Sequence, residues 1–315
     1  MDKSILITGG AGFIGSHVVE QFAEEYPDYS IVVMDILTYA GDEHFFKNLE
    51  IKYRNVLALR QDITDFRACS WIINDLKIDN IIHLAAESHV DNSIENPIEF
   101  VNTNVISTVN LLNAAKKMWG NDLDDKLFYH ISTDEVYGAL GKEGFFTEET
   151  PYNPHSPYSA SKASADHFVR AFHDTYKLPT IISNCLNNYG PRQHYEKLIP
   201  KVIHNLIKGI KIPIYGTGEN VRDWLFVKDH VKAIDTILHK GKIGETYNIG
   251  GDCELSNIEL VKNIINIYID DIIDDMDNDL YFSRLYSDFI EFVEDRKGHD
   301  FGYAINHNKL TEELG

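Results

Sequence analysis

The stretch Thr8-Gly9-Gly10-Ala11-Gly12-Phe13-Ile14-Gly15 decides the fold of this 315-residue chain. It follows an apolar run, Ile5-Leu6-Ile7, that is typical of a buried strand, and a helical pattern over residues 15–25 comes after it. Glycines at positions 9, 12 and 15 permit a tight turn, close approach of the backbone to a pyrophosphate, and close packing of helix against strand. The stretch therefore predicts a dinucleotide-binding βα unit.

An acidic residue, Asp35, lies about 20 residues beyond this turn, where the second strand is predicted to end. A carboxylate at that point can accept both ribose hydroxyls and would repel a 2′-phosphate, which favours NAD over NADP. Asp62 is predicted to end the next strand and to lie near the adenine. A purely structural glycine turn is the alternative.

Short β-rich runs alternate with helical patterns through the first 190 residues. Further strands are predicted at 31–34, 57–59, 81–84, 127–131 and 180–182, and longer helices at 100–118 and 158–176. The alternation, with apolar strands, predicts a Rossmann-like doubly wound parallel sheet of the α/β class. We expect residues 1–190 to form this domain. Residues 191–315 should form a smaller mixed α/β region, with some later segments returning to the sheet.

Composition excludes several classes of function. The formal net charge of -20 and the pI near 5.0 argue against nucleic-acid binding. Three isolated cysteines predict neither disulfides nor a zinc site and indicate a reducing compartment. No signal peptide or membrane-spanning run is recognisable, so we expect a cytoplasmic protein. The acidic segment 270–279 lacks the glycine and glutamate of a calcium loop, and we expect no metal.

A tyrosine four residues before a lysine, Tyr158 and Lys162, suggests hydride-transfer chemistry on an alcohol. Ser156 can cap a helix that Pro157 begins, which places both side chains on one face. A tyrosine acting as a base near neutral pH needs a pKa roughly three units below its usual value, or about 4 kcal/mol. A lysine about 4.5 Å away supplies about 3.7 kcal/mol at an effective dielectric constant of about 20. We therefore expect Lys162, helped by a positive nicotinamide, to lower the pKa of Tyr158. An exposed helical pair is the alternative.

Two adjacent carboxyl groups, Asp134 and Glu135, follow the strand predicted over 127–132. The carboxyl ends of strands are where open α/β sheets bind ligands. Adjacent like charges separate their pKa values, leaving one group protonated and the other ionised. Such a pair can remove a proton next to a ketone and protonate a leaving hydroxyl, so it suggests water elimination from an oxidised sugar. An ordinary carboxylate pair in a turn is the alternative.

Motifs along most of the chain match a known family. They occupy the opening glycine turn and segments 35–41, 84–91, 133–138, 158–162, 187–191, 196–200, 222–224, 247–251 and 295–300. On these motifs the chain resembles the nucleoside-diphosphate-glucose 4,6-dehydratases of the dTDP-glucose/UDP-glucose group, within the extended short-chain dehydrogenases/reductases. The similarity runs from the N-terminus to about Asn306.

The resemblance implies a reaction and a role for each catalytic side chain. Tyr158, beside Lys162, would take the C4-hydroxyl proton while a hydride passes to NAD. Glu135 would remove the C5 proton, and Asp134 would protonate the departing C6 hydroxyl. Thr133 would hydrogen-bond the C4 oxygen. Hydride return to C6 would give a 4-keto-6-deoxy sugar nucleotide, on the route to deoxysugars such as rhamnose.

The resemblance also implies two sets of binding residues. Those expected around NAD are Gly9, Gly12, Phe13, Ile14, Gly15, Asp35, Ile36, Leu37, Thr38, Asp62, Ile63, Leu84, Ala85, Ala86, Ser88, Thr103, Tyr158, Lys162 and Asn187. Those expected around the sugar nucleotide are Ser88, Thr133, Asn188, Lys197, Leu198, Pro213, Tyr215, Arg222, Asn257, Arg296 and His299. Arg222 is a natural partner for the diphosphate, because its guanidinium binds phosphate oxygens bidentately.

Departures from the family pattern fall mostly in the nucleotide-binding part. They are Leu186 for serine, His194-Tyr195 for Phe-Pro, Lys297 for proline, and Gly302 for an arginine. They leave open whether the nucleotide is dTDP or UDP. A C4 epimerase or decarboxylase, which would lack the Asp134-Glu135 pair, is an alternative. So is a non-catalytic NAD-sensing regulator, in which the tyrosine–lysine pair is typically lost.

The helices predicted at 100–118 and 158–176 carry more apolar residues than the single face that packs on the sheet would account for. These apolar residues are Val101, Val105, Val109, Leu112, Met118, Phe168, Val169, Phe172 and Tyr176. Two such helices from each subunit could form a four-helix bundle, and the resemblance implies the same homodimer. We expect a charge at Phe172, if that side chain faces outward, to weaken the dimer.

Overall fold

Twelve strands are found among the residues that the computed structural model describes, which are 3–140, 144–273, 286–294, 302 and 304–315. They are β1 Ser4–Thr8, β2 Ser30–Asp35, β3 Val56–Arg60, β4 Asn80–His83, β5 Leu127–Thr133, β6 Thr180–Cys185, β7 Asn187–Tyr189, β8 Ile212–Tyr215, β9 Val221–Phe226, β10 Thr246–Ile249, β11 Glu254–Ser256 and β12 Ile290–Val293.

Helices cover the faces of the sheet. They are α1 Phe13–Glu25, α2 Glu43–Lys52, α3 Phe66–Asp75, α4 Val90–Glu95, α5 Pro97–Phe100, α6 Ser107–Trp119, α7 Pro157–Tyr176, α8 Leu198–Lys208, α9 Val227–Lys240, α10 Asn257–Ile273 and α11 Asn308–Leu314. A π-helical turn spans Val101–Ile106, and short 3-10 turns span Asp134–Tyr137 and Tyr286–Asp288.

The central sheet has the strand order β10-β6-β5-β4-β1-β2-β3, and every neighbouring pair in it is parallel. Side chains of β1 alternate between two hydrophobic cores: Ile5 and Ile7 lie in one, and Leu6 lies in the other. Both faces are therefore buried, which explains why the strand sequences are almost continuously apolar. The predicted Rossmann-like doubly wound sheet is confirmed.

The chain beyond residue 190, together with β7, builds two smaller sheets and also returns to the large one. β9 pairs with β7 and β11, and β8 pairs with β12. β10 lies beside β6 in the central sheet, and α9 packs against α1. A separate hydrophobic cluster joins β8 to α8 and α10.

Two predicted boundaries are wrong. The helix predicted over 100–118 is divided, because the π-helical turn separates α5 from α6. Within that turn Asn104 is buried, and its amide exchanges hydrogen bonds of 2.9 and 3.0 Å with the backbone of Glu87. β3 ends at Arg60, so Asp62 lies beyond it, in a turn where its carboxylate accepts from the Thr64 N–H.

Phe172 does not face outward, so the condition on the expected effect of a charge there is not met. Phe172 is only 9% exposed and belongs to the hydrophobic core, whereas Phe168, one turn earlier on α7, is 42% exposed. Leu112 and Val169 are core residues too. The sheet-facing stripe of α7 therefore includes Phe172, and the outward apolar stripe includes Phe168.

The described ranges contain neither a helix that could span a membrane nor a cluster of metal ligands. None of their helices combines the length and apolarity that crossing a bilayer requires. In those ranges, no group of three or more His, Cys, Asp or Glu side chains could hold a metal ion. The larger part of the acidic segment 270–279 lies outside the described residues.

Candidate active site

A cavity of about 480 Å³ opens at the carboxyl edge of the central sheet. Its wall includes Gly9 after β1, Asp35 at the end of β2, Leu84 after β4, Thr133 at the end of β5, and Cys185 at the end of β6. This edge is the ligand-binding position of open α/β sheets.

The glycine turn shapes one end of the cavity. Gly9 has φ +71°, and a Cβ there would lie 2.7 Å from the Ala85 backbone nitrogen. A Cβ on Gly15 would lie 2.1 Å from the Gly9 carbonyl oxygen. The N-cap of α1 is Gly12, which has no side chain to occupy the first N–H groups of the helix. A pyrophosphate can therefore approach the helix N-terminus, and these residues fit NAD.

The glycine turn yields a direct prediction. We expect Gly15→Ala to destroy NAD retention, because its Cβ would overlap the Gly9 carbonyl and displace the turn. Heat-denatured protein should release NAD(H) when unaltered and little or none when it carries this substitution. Gly302→Ala is the matched control, since the nearest atom to its Cβ is 3.9 Å away. Equal nucleotide release from all three proteins would contradict the assignment.

Asp35 is fixed by the backbone around it. One carboxylate oxygen accepts the Ala11 N–H at 2.9 Å, and the other accepts the Leu37 N–H at 2.8 Å. Burial raises the pKa of this carboxyl above its ordinary value, an effect that the backbone hydrogen bonds oppose. Each oxygen keeps a further lone pair for a ribose hydroxyl.

Every residue expected around NAD lies in the cavity wall except Leu37. Leu37 instead adopts φ +61° and packs against the core that contains β1. Sequence reasoning missed several wall residues, namely Tyr39, Glu87, Glu99, Asn102, Gln193, His194 and Glu196. Tyr39, Glu87 and Glu196 stand within matching motifs, which could have indicated them. His194 lies in the segment after β7. The pattern of predicted strands did not indicate that this segment reaches the cavity.

Tyr158 and Lys162 occupy the first turns of α7. Ser156 caps this helix as predicted, and its hydroxyl accepts the Ser159 N–H at 3.0 Å. The Lys162 ammonium donates to the Ile131 carbonyl at 2.8 Å and lies 3.4 Å from His130 Nε2. Both Tyr158 and Lys162 are part of the cavity wall.

The pKa of Tyr158 is shifted in the direction opposite to the expected one. Burial, and next the charge of Glu135, hold this pKa well above the ordinary value of a tyrosine. Burial also lowers the pKa of Lys162. The expectation counted Lys162 and a positive nicotinamide, and it omitted the desolvation and the nearby carboxylates that raise the pKa of Tyr158.

A buried carboxylate beneath the lysine was not foreseen. Asp166 accepts the hydroxyls of Ser132 and Tyr152, each at 2.9 Å, and lies 3.2 Å from His130 Nε2. Its charge raises the pKa of Lys162 against the larger effect of burial. A signal existed, since position 166 is one helical turn after Lys162 on the same face.

Asp134 and Glu135 form the 3-10 turn that follows β5. Burial and then the Glu135 charge raise the pKa of Asp134 to about 7. The Thr133 hydroxyl donates to Asp134 Oδ1 at 3.1 Å and accepts the Glu135 N–H at 3.3 Å. Glu135 lies in the cavity wall, whereas Asp134 is buried and is not part of it. Asp134 is therefore suited to carry a proton at neutral pH.

The residues expected around the sugar nucleotide are only partly brought together. Ser88, Thr133, Asn188 and Lys197 lie in the cavity wall, and the Lys197 ammonium donates to the Ser88 carbonyl at 3.1 Å. Those outside this wall are Leu198, Pro213, Tyr215, Arg222 and Asn257. Arg222 is nevertheless close enough for its charge to lower the pKa of Asp134. Arg296 and His299 lie outside the described residues.

Comparisons with known proteins agree with this arrangement. Residues 6–315 match the family model described as GDP-mannose 4,6 dehydratase. The chain is 46% identical to a dTDP-glucose 4,6-dehydratase of Haemophilus influenzae, over 99% of this chain and 92% of that relative.

Solved structures give the same result. A Bacillus anthracis dTDP-glucose 4,6-dehydratase in complex with NAD superposes with a TM-score of 0.85 at 44% identity, over 99% of this chain and 90% of that one. A Streptomyces venezuelae dTDP-glucose 4,6-dehydratase with NAD bound gives a TM-score of 0.87 at 41% identity, over 99% and 91%.

Proposed function

We propose that this chain, which belongs to the GDP-mannose 4,6-dehydratase family, is an NAD-dependent dehydratase that converts dTDP-glucose into its 4-keto-6-deoxy derivative. The observation that carries the proposal is the Thr133-Asp134-Glu135 turn beside Tyr158, at the cavity that the glycine turn and Asp35 also line. Oxidation alone needs the tyrosine, and the two carboxyl groups supply what water elimination needs in addition. The names of the relatives support dTDP-glucose as the substrate.

Three side chains, Tyr158, Glu135 and Asp134, each carry out one proton transfer of the reaction. NAD, when bound, takes a hydride from C4 and returns it to C6. Tyr158 accepts the C4-hydroxyl proton, and the Lys162 charge lies on the same helix face. The C4 ketone acidifies the C5 proton, which Glu135 removes. Asp134, whose pKa burial raises to about 7, protonates the C6 hydroxyl as water departs.

The experiment is an assay with both nucleotide sugars. Purified protein is incubated with dTDP-glucose and, separately, with UDP-glucose, and the alkaline absorbance of a 4-keto product is followed. We expect dTDP-glucose to give a measurable 4-keto product. Its kcat/KM should be larger than that of any reaction with UDP-glucose. Absence of a 4-keto product from dTDP-glucose would contradict the proposal, as would the appearance of a C4 epimer alone.

We further propose a homodimer formed by the outward faces of α4, α5, the π-helical turn and α7. These elements pack against one another. They present exposed apolar side chains, namely Ile94, Ile98, Val101, Ile106, Phe168 and Tyr176. Burial of such a face between two copies would remove it from water and hold the helix that carries Tyr158 and Lys162.

The dimer is tested by Phe168→Asp. We expect this charge to lower the dimer fraction and the activity together, because α7 carries both the proposed interface and the catalytic pair. Light scattering at micromolar concentration measures the first effect. Ile51→Asp is the matched control, since Ile51 is 82% exposed on α2. A monomeric unaltered protein would rule the dimer out.

A cytoplasmic location and a role in making deoxysugars such as rhamnose complete the proposal. Cys69 and Cys185 are free thiols buried in the protein, which is consistent with a reducing compartment. A 4-keto-6-deoxy sugar nucleotide is a suitable precursor for such sugars, because C6 is already reduced and the ketone is available for further steps.

A further inference from the structure

The Lys162 ammonium is a charge held almost entirely out of water. Lys162 is 4% exposed, and its ammonium donates to the Ile131 carbonyl at 2.8 Å and lies 3.4 Å from His130 Nε2. Both of these partners are uncharged at neutral pH, since one is a backbone carbonyl and burial lowers the pKa of the His130 imidazole to about 4. A buried ammonium without a counter-charge tends to lose its proton. The proposed reaction uses the charged form, so a negative group has to lie close by.

Asp166, one helical turn further along α7, supplies a negative charge at this place. It is 0% exposed. Its Oδ1 lies 3.2 Å from His130 Nε2, and its Oδ2 accepts the Ser132 and Tyr152 hydroxyls, each at 2.9 Å. Burial acts to raise the pKa of Asp166, but its contacts with His130 and then the charge of Lys162 bring it below the ordinary value. The carboxyl is therefore ionised at neutral pH.

We propose that Asp166 is a positioning residue that keeps the Lys162 ammonium charged, through the His130 imidazole that contacts both groups. In the described part of the chain, Asp166 pairs with the imidazole and not with the ammonium. A direct ion pair would occupy a further one of the three lysine N–H groups. With the imidazole as the contact, at least one N–H is left beyond those that Ile131 and His130 can take. This inference rests on the proposed function, in which the Lys162 charge assists Tyr158.

Five further titratable or charged groups lie around the pair, and none of the five is negative at neutral pH. Burial holds the pKa of His83 well below its ordinary value and raises that of the Cys185 thiol to about 12, so both are uncharged. Burial likewise raises the pKa values of the Tyr137 and Tyr152 phenols. Arg170 is positive and donates to the Tyr152 hydroxyl at 2.8 Å. None of these five groups can therefore act as the counter-charge of the ammonium.

A double-mutant cycle tests the coupling of the two groups without reference to the reaction. Asp166→Asn is introduced into the unaltered chain and into a Lys162→Met variant, with NAD in excess, and the unfolding temperatures are compared. In the unaltered chain the substitution leaves a buried ammonium without its counter-charge, so the unfolding temperature should fall by about 5 °C or more. In the Lys162→Met chain no ammonium remains, and the same substitution should have little effect. Lys162→Gln serves as the second background if Lys162→Met does not fold.

Kinetics test whether this charge acts on the reaction. Asp166→Asn should lower kcat for dTDP-glucose about 10- to 100-fold, the factor that about one to two pKa units represent, and leave KM within a few-fold. Tyr152→Phe removes one hydrogen bond from the carboxylate and keeps its charge, so kcat should fall only a few-fold. Asp174→Asn is the matched control, because it removes an exposed carboxylate from the same helix. Thermal unfolding and NAD content verify that each variant is folded.

The outcomes separate this inference from the proposed function. An unaltered enzyme that forms no 4-keto product would refute the function, and the unfolding cycle would still decide whether Asp166 stabilises the Lys162 charge. An equal fall in unfolding temperature in both backgrounds would overturn the inference, as would failure of Asp166→Asn to fold in both. Failure to fold only where Lys162 is present would support it. In an active enzyme, an unchanged kcat in Asp166→Asn, or equal losses in it and in Tyr152→Phe, would show that the carboxylate charge does not act on the reaction.

Discussion

Replacing Glu135 by glutamine is expected to stop water loss while leaving C4 oxidation intact. The amide keeps the shape of the side chain but cannot accept the C5 proton. We expect product formation to fall by about 1,000-fold, the scale on which a positioned base contributes. Oxidised substrate should accumulate on the enzyme together with reduced nicotinamide, which its absorbance band reveals in a stopped-flow experiment.

A matched control for this variant is Glu43→Gln. Glu43 is exposed on α2, where it pairs with Lys47, and its loss should leave activity unchanged. Product formation at an undiminished rate in the Glu135 variant would refute the role of this residue. Loss of both reduced nicotinamide and product would show that Glu135 acts before the elimination.

The Tyr158→Phe variant should be unable to oxidise C4, the step that precedes water loss. Without the phenol oxygen no group takes the C4-hydroxyl proton, so neither reduced nicotinamide nor product should form at an appreciable rate. We expect a loss of about 1,000- to 10,000-fold in kcat, with NAD still bound. Single-turnover absorbance and product assays measure the two effects separately.

Tyr176→Phe is the matched control, because it removes a phenol oxygen from the other end of the same helix. Tyr176 is 47% exposed, so its change should leave kcat within a few-fold. If the Tyr158 variant formed reduced nicotinamide at the normal rate, another group would have to be the base.

The parts of the site that sequence could predict are those that the chain supplies locally. The glycine turn is dictated by contacts between Gly9, Gly15 and their immediate surroundings. The Thr133-Asp134-Glu135 turn follows directly from the end of β5. Parallel strands bring such ends to one edge, so the position of the cavity follows from the order of strands and helices alone.

The parts that sequence could not predict depend on packing between distant segments. The pKa of Tyr158 is dominated by its burial, which no local pattern quantifies. The hydroxyl of Tyr152 reaches Asp166 from a loop that has no repeating pattern. Likewise, Phe172 and Phe168 are both apolar and four residues apart, and only the packing of α7 distinguishes the buried one from the exposed one.

The most direct test of the central claim follows a deuterium label from C4 of dTDP-glucose. The label should appear in the C6 methyl group of the product within the same molecule, while C5 acquires a hydrogen from solvent. NMR of the product made from a mixture of labelled and unlabelled substrate distinguishes transfer within one molecule from transfer between molecules. Retention of the label at C4, or its loss to a free pool of reduced nicotinamide, would contradict the account.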